Sequence, residues 1–207
     1  MRVTKAEFLV SATDPSVGTG WPTEGPPEVA FAGRSNVGKS TLLGALTGRN
    51  GLVRVSRTPG RTRLINFFDL EILLGSSTGD RRELRFVDLP GFGYAKVSKA
   101  ERAAWFPFVE KYLGHRVPLK AVVLLCDARR GAEIDETELA HYLRDRGVTV
   151  IAVMTKCDKL SKHERRPAAE ALKRQLGAHP VTVSATSGEG LDELWKRLVV
   201  ALGPPSD

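Results

Sequence analysis

Cysteine is scarce in this chain. Its 207 residues include two, too few for a disulfide framework, and neither Cys126 nor Cys157 has the His/Cys company of a zinc site. Each ends an apolar, strand-like run, which points to buried thiols. Long apolar runs are missing too. None approaches the roughly 18 residues that cross a bilayer, and Met1–Phe8 lacks the apolar core of a secretion signal. A cytoplasmic protein without a membrane partner is therefore expected. No internal repeat or low-complexity tract breaks the chain, and nothing marks a second domain. With 42% hydrophobic and 27% charged residues, the chain reads as one globular domain over residues 1–207, able to bury a core without staples. Residues 1–27 form an N-terminal arm and loop in this reading.

Positive charge is what the chain has in excess, at a formal +7. Such a surface draws polyanions through counterion release. Nucleic acid or a ribonucleoprotein is the expected partner, against the plainer alternative of a merely solvated lysine-rich surface. Arg49, Arg54, Arg57, Arg61 and Arg63 follow one another with no acid between them.

The order of elements points to an α/β fold. Apolar strand-like runs at 28–32, 64–74, 83–87, 121–126, 148–154 and 180–183 alternate with helix-like stretches at 40–46, 99–113, 135–146, 161–176 and 191–202. Ala121–Cys126 is apolar throughout, as in a strand buried on both faces. The run 83–87 pairs back on 64–74 as a hairpin. The pattern predicts a mostly parallel six-stranded sheet with one antiparallel strand and helices on both faces, three layers in all. Lys5–Val10 reads as a short strand or a docking arm, and Ser11–Pro27 as an exposed loop. Pro107 is expected to distort its helix. In such sheets ligands bind beyond the carboxyl ends of the strands, and each chemical motif falls at such an end.

The first is Gly33-Arg34-Ser35-Asn36-Val37-Gly38-Lys39-Ser40, a full G-x-x-x-x-G-K-S between a strand and a helix. Gly33 and Gly38 let the backbone wrap an anion with its N–H groups pointing inward, and the helix adds its positive end. Lys39 reaches the β- and γ-phosphates of a nucleotide, and the Ser40 hydroxyl ligates Mg²⁺. The second is Asp88-Leu89-Pro90-Gly91 at the end of another strand. D-x-P-G is also an ordinary turn; after a phosphate loop, its carboxylate holds Mg²⁺ through water and its Gly91 N–H senses a γ-phosphate. The third is Thr155-Lys156-Cys157-Asp158. The Asp158 carboxylate matches the paired N1–H and N2 donors of guanine, and adenine offers no such pair. The Lys156 stem can cover the base. The commoner form of this motif starts with Asn, so Thr155 is a departure. Ser184-Ala185-Thr186, some 26 residues past Asp158, is a weak triplet alone; after a short strand its N–H groups suit guanine O6.

Taken together, these residues resemble the GTPases of the TrmE-Era-EngA-EngB-septin-like class, and more closely the EngB (YsxC/YihA) family of bacterial ribosome-assembly GTPases. The resemblance rests on G-R-S-N-V-G-K-S at 33–40, S-R-T-P-G-R-T-R-L-I-N-F-F at 56–68, D-L-P-G-F-G-Y-A at 88–95, T-K-C-D at 155–158 and S-A-T at 184–186. It spans nearly the whole chain, and T-P-G-R-T with L-I-N-F-F is specific to that family. It implies a P-loop GTPase domain that binds GTP and GDP. It also implies a switch segment holding Gly60, Arg61 and Thr62, with Thr62 on Mg²⁺ and the γ-phosphate; Thr58 is the rival for that role. A part in large-subunit assembly, with the subunit precursor or its rRNA as partner, and a link to cell division and septation come with it, for a chain acting as a monomer.

One expected group is absent. Ras-like enzymes place a water-aiming Gln after D-x-x-G, and here that residue is Phe92. In the related potassium-activated GTPases an Asn in the phosphate loop holds K⁺ beside the phosphates, which gives Asn36 a catalytic part beside Lys39 and Thr62. The competing reading is an RNA- or ribosome-binding module whose arginines, with Lys96, Lys99, Arg102, Arg129-Arg130 and Lys162–Arg166, face RNA, and in which GTP binding matters more than its hydrolysis. A kinase or ATPase is disfavoured by Asp158.

Overall fold

The computed structural model describes residues 1–13, 20–49, 52, 64–75, 80–93, 105–114 and 116–204. Along the chain these form β1 (Arg2–Ala12), β2 (Glu28–Gly33), α1 (Lys39–Thr47), β3 (Ile65–Leu74), β4 (Asp80–Asp88), α2 (Trp105–Gly114), β5 (Leu119–Asp127), α3 (Ile134–Asp145), β6 (Thr149–Thr155), α4 (Lys162–Leu176), β7 (Val181–Thr182) and α5 (Leu191–Leu202). One sheet orders the strands β1-β3-β4-β2-β5-β6-β7. β3 alone runs against the others, antiparallel to both β1 and β4, and the remaining ladders are parallel.

The fold class is the expected one, but the sheet has seven strands where the sequence pattern counts six. The extra strand is β1, the segment left open between strand and arm. It caps the outer edge of β3 from Arg2↔Leu73 to Ala12↔Ile65, with two register shifts. Its alternation is diluted because an edge strand carries charge on its open side, here the Lys5–Glu7 ion pair at 3.0 Å, a pattern that also deters further strand pairing.

Period-two alternation sorts the core into two faces. Val29, Phe31, Phe86 and Val123 point to α1 and α5, meeting Leu42 and Leu198, and Trp195 of α5 stacks on Phe86 at 5.6 Å. Ala30, Leu124 and Met154 point the other way, to Tyr112, Leu139 and Leu172 of α2, α3 and α4. Both cysteines are buried. Pro107 is the third described residue of α2, which continues past it to Gly114. α4 opens on a capping box of Ser161 and Glu164, as its S-x-x-E sequence dictates. The carboxyl ends of β2, β4, β5 and β6, ending at Gly33, Asp88, Asp127 and Thr155, lie on one side of the sheet.

Candidate functional site

The turn from β2 into α1 is built from backbone conformations that its residues suit. Gly38 has φ 104°, a region that side chains disfavour, and Asn36 has φ 64°, tolerated by Asn. A Cβ on Gly33 would stand 3.0 Å from the Leu125 carbonyl, so β2 and β5 approach too closely there for a larger residue. Val37 is buried and pins the loop to the core. Arg34, Ser35, Asn36, Gly38, Lys39 and Ser40 line a cavity of ≈ 580 Å³ closed by Gly91 and Lys156. Within it Lys39 Nζ donates to Asp88 Oδ1.

The Asp88–Gly91 run lies flat against this loop. Leu89 N donates to Phe31 O (3.1 Å) and Ser35 N to Phe92 O (2.8 Å), which prolongs the parallel pairing of β2 and β4 as a bridge between Arg34 and Phe92. Gly91 packs closely on the loop: a Cβ there would stand 3.1 Å from Ser35 Oγ and 3.3 Å from Ser35 N. Phe92 is buried, its ring edge-on to Trp105 at 4.7 Å, and the Trp105 indole N–H donates to Pro90 O at 2.8 Å. The residue in the water-aiming position is thus turned into the core. Arg34 is drawn outward, its Nη1 2.6 Å from Glu133 Oε2 at the start of α3.

Thr155 explains its own departure from Asn. Its hydroxyl lies 2.7 Å from Val37 O and 3.2 Å from Cys126 O, so it ties the end of β6 to the phosphate loop and to β5. Lys156, in the left-handed region at φ 58°, donates from Nζ to Asn36 O at 2.5 Å and pairs with Asp127 Oδ2 at 3.0 Å. Burial works to raise the Asp127 pKa, but Arg129, bonding through its side chain and backbone N–H, and then Lys156 outweigh it and hold the carboxyl well below the usual carboxylate range. Asp158 Oδ1 accepts from Ser184 Oγ at 2.8 Å, which keeps its pKa low. Ser184 has one proton and gives it to Asp158, so the Thr186 hydroxyl, 3.0 Å away, donates to Ser184. Ala185, Thr186 and Asp158, with Thr41, Leu42 and the Lys156 stem, line a cavity of ≈ 230 Å³. Cys157, like Thr155, is buried, and burial pushes its thiol up to about 11.

Gly60, Arg61, Thr62 and the rival Thr58 lie outside the described residues. The sequence reading missed Asp127 and Asn66. Asp127 could have been found by its likeness to Asp88, an acid closing an apolar strand. Asn66 stands inside the family-specific L-I-N-F-F run, but its role depends on which residue lies across the sheet.

The model of the 50S ribosome-binding GTPase family matches residues 28–156, from the start of β2 through Lys156. The chain is 47% identical to the probable GTP-binding protein EngB of Geobacter metallireducens over 98% of this chain and 94% of that one. It is 42% identical to the protein of the same name from Myxococcus xanthus over 98% and 97%. Among solved structures, a probable GTP-binding protein engB superposes with TM-score 0.60 at 22% identity, over 84% of this chain and 98% of that one, which speaks to the fold. Era in complex with MgGDPNP and nucleotides 1506–1542 of 16S ribosomal RNA gives TM-score 0.64 at 25% identity, over 87% and 58%. The fold, the phosphate loop and nearly full-length identity agree: this chain belongs to the EngB family of GTP-binding proteins.

Proposed function

We propose that the chain holds GTP or GDP in one trough from Gly33 to Asp158, hydrolyses GTP with Mg²⁺, and uses the change of state as a switch in assembly of the large ribosomal subunit. It would act as a cytoplasmic monomer on which normal division and septation depend. The observation that carries this reading is the continuity of the two cavities, which share Gly38, Thr41 and Lys156. One accepts phosphates and the other ends in an ionised Asp158 suited to guanine. Lys39 hands its Nζ from Asp88 to the phosphates as a nucleotide enters, and Lys156 covers the base. Among the described residues no helix is long and apolar enough to cross a membrane.

The donor set suits Mg²⁺. The Ser40 hydroxyl and the buried Asp88 carboxylate are hard oxygen donors, and Mg²⁺ needs few from the protein because it keeps waters and phosphate oxygens. Thr62 is the third proposed ligand. Bound there, the ion would offset charge on the β- and γ-phosphates. Asn36, exposed on the loop, is proposed to hold K⁺; equal GTP turnover in KCl and NaCl would remove that assignment.

The binding-module reading draws support from Phe92, whose buried ring leaves the usual water-aiming position without a polar group. It also draws on Era, a structural neighbour solved with rRNA. Of the basic candidates, Arg49 donates to Ala6 O, Arg129 is held by Asp127 and Arg165 by Glu189. Arg130, Lys162, His163 and Arg166 are exposed and can meet RNA. Sedimentation with ribosomal fractions under GTP, GDP and a non-hydrolysable analogue tests the switch. Association that depends on nucleotide and weakens with salt is expected; association indifferent to nucleotide would overturn it. Competition of ATP against labelled GDP tests the base, and equal competition by ATP and GTP would refute guanine selection.

A further inference from the structure

We propose that Asn66 is a positioning residue for the Asp88 carboxylate, and that Ser11 of the N-terminal strand sets the orientation of Asn66. The inference deepens the reading of Asp88 as an Mg²⁺ carboxylate and rests on it.

Ser11, Asn66 and Asp88 stand in one row across three strands. Ser11 faces Asn66 in the β1/β3 ladder, and Asn66 faces Asp88 in the β3/β4 ladder. Directly opposed residues on one sheet face bring their side chains together. Here the Ser11 hydroxyl donates to Asn66 Oδ1 at 2.6 Å, and Asn66 Nδ2 reaches toward Asp88 Oδ2 at 3.5 Å. Chemistry fixes the amide orientation. An ionised carboxylate can only accept, so the atom facing Asp88 is the NH₂, which leaves Oδ1 for Ser11. Asn66 and Asp88 are both buried, at 8% and 6% exposure, so water is a poor substitute for either partner.

The two carboxylate oxygens have different prospects. Oδ1 meets Lys39, and that lysine is required by the phosphates once a nucleotide binds. Oδ2 faces Asn66, which has no second task. After Lys39 leaves, the amide is the side-chain partner among the described residues that still restrains rotation of the carboxylate, so metal binding finds it aimed instead of searching. Groups in this relation to a metal-binding carboxylate alter metal affinity by about 10–100-fold when removed. A second tie joins β1 to the same apparatus: Arg49, just past α1, donates from Nη1 to Ala6 O at 2.8 Å. The N-terminal strand is thereby fastened both to the helix of the phosphate loop and to its carboxylate.

The test is the release rate of a fluorescent GDP from the full chain while free Mg²⁺ is titrated. In the parent, release should slow as Mg²⁺ rises. N66A should move the half-point upward by about 10–100-fold. S11A should move it by about 2–12-fold, the worth of one net hydrogen bond, and S11T, which keeps the hydroxyl, should restore it. In EDTA the GDP affinity of all variants should agree within about twofold. A half-point in N66A that coincides with the parent's would overturn the proposal, as would a loss of affinity in EDTA as large as in Mg²⁺, since Asn66 would then shape the loop and not serve the metal. Release indifferent to Mg²⁺ in the parent would instead refute Asp88 as the metal carboxylate, and this inference with it. If N66A fails to fold, S11A and S11T decide alone.

Discussion

Two clusters of buried charge occupy opposite ends of the same strands, and they differ in whether a ligand can change their partners. At the amino end of β2, the fully buried Glu28 accepts from Arg116 Nε and Nη2 at 2.8 and 2.5 Å and from the Tyr112 hydroxyl at 2.8 Å. Arg85, 3.5 Å from Glu28, is bidentate to Asp69 at 2.6 and 3.1 Å. The backbone closes over this cluster so tightly that a Cβ on Gly25 would meet the Arg85 guanidinium at 2.5–2.9 Å. About 17 Å away, at the other end of a six-residue strand, the buried Asp88 pairs with Lys39, which lines one open cavity, the buried Asp127 lines another, and the exposed Asp158 borders a third. Buried ion pairs alone therefore do not mark function; pairs that a ligand can reach and rearrange do.

The largest expected effect is D158N. It exchanges a charged acceptor for an amide at the proposed guanine site, removing two charge-assisted bonds worth about 1.5–3 kcal/mol each, so GTP should bind roughly 10²–10⁴-fold more weakly. Its melting temperature should hardly change, because Asp158 is exposed. A collapse in stability, seen by thermal denaturation, would erase the contrast between the two ends.

E28A should do the reverse. Arg116 and Arg85 would lose their buried counter-charge at a cost of about 3–5 kcal/mol, a fall in Tm of roughly 6–20 °C. GDP affinity of the folded protein should be untouched; a shifted GDP titration would show that the ends communicate.

T155V belongs to both categories. The Val37 carbonyl loses its 2.7 Å hydroxyl donor, shared at 3.2 Å with the Cys126 carbonyl, which should cost about 1–3 kcal/mol in urea unfolding and weaken nucleotide binding, with T155S restoring most of both. Normal nucleotide affinity in T155V would mean that the tie serves folding alone.

The smallest effect is in acid. Asp127 has a lower pKa folded than unfolded, so its stabilisation is complete above the ordinary carboxylate range and is lost as pH falls through and below about 4. The stability gap between the parent and D127N should be full at neutral pH and close on acidification. A gap that stays constant would assign the difference to shape and not to charge.

How much of this could be read from sequence follows the range of the interactions. The phosphate loop is local: eight consecutive residues carry its glycines, lysine and serine, so its geometry is written in one place. T-K-C-D and S-A-T are likewise short, and their separation by a helix and a strand suffices to suggest a shared pocket. Asn66 could not be found this way, since its partners lie 55 and 22 residues off and meet it only through strand register. β1 was ambiguous because an edge strand is paired on one side and carries charge on the other. Thr155 looked like a weakness, yet a hydroxyl between two carbonyls performs the tie.

The contact of Trp105 with the D-L-P-G-F run gives the chain an optical consequence. Trp105 donates to Pro90 O and packs on Phe92, whereas Trp21 lies against Tyr112 and Trp195 against Phe86. One of three tryptophans is thus wired to the segment expected to respond to a γ-phosphate. Native emission, with no label attached, is a ready readout of that segment's position.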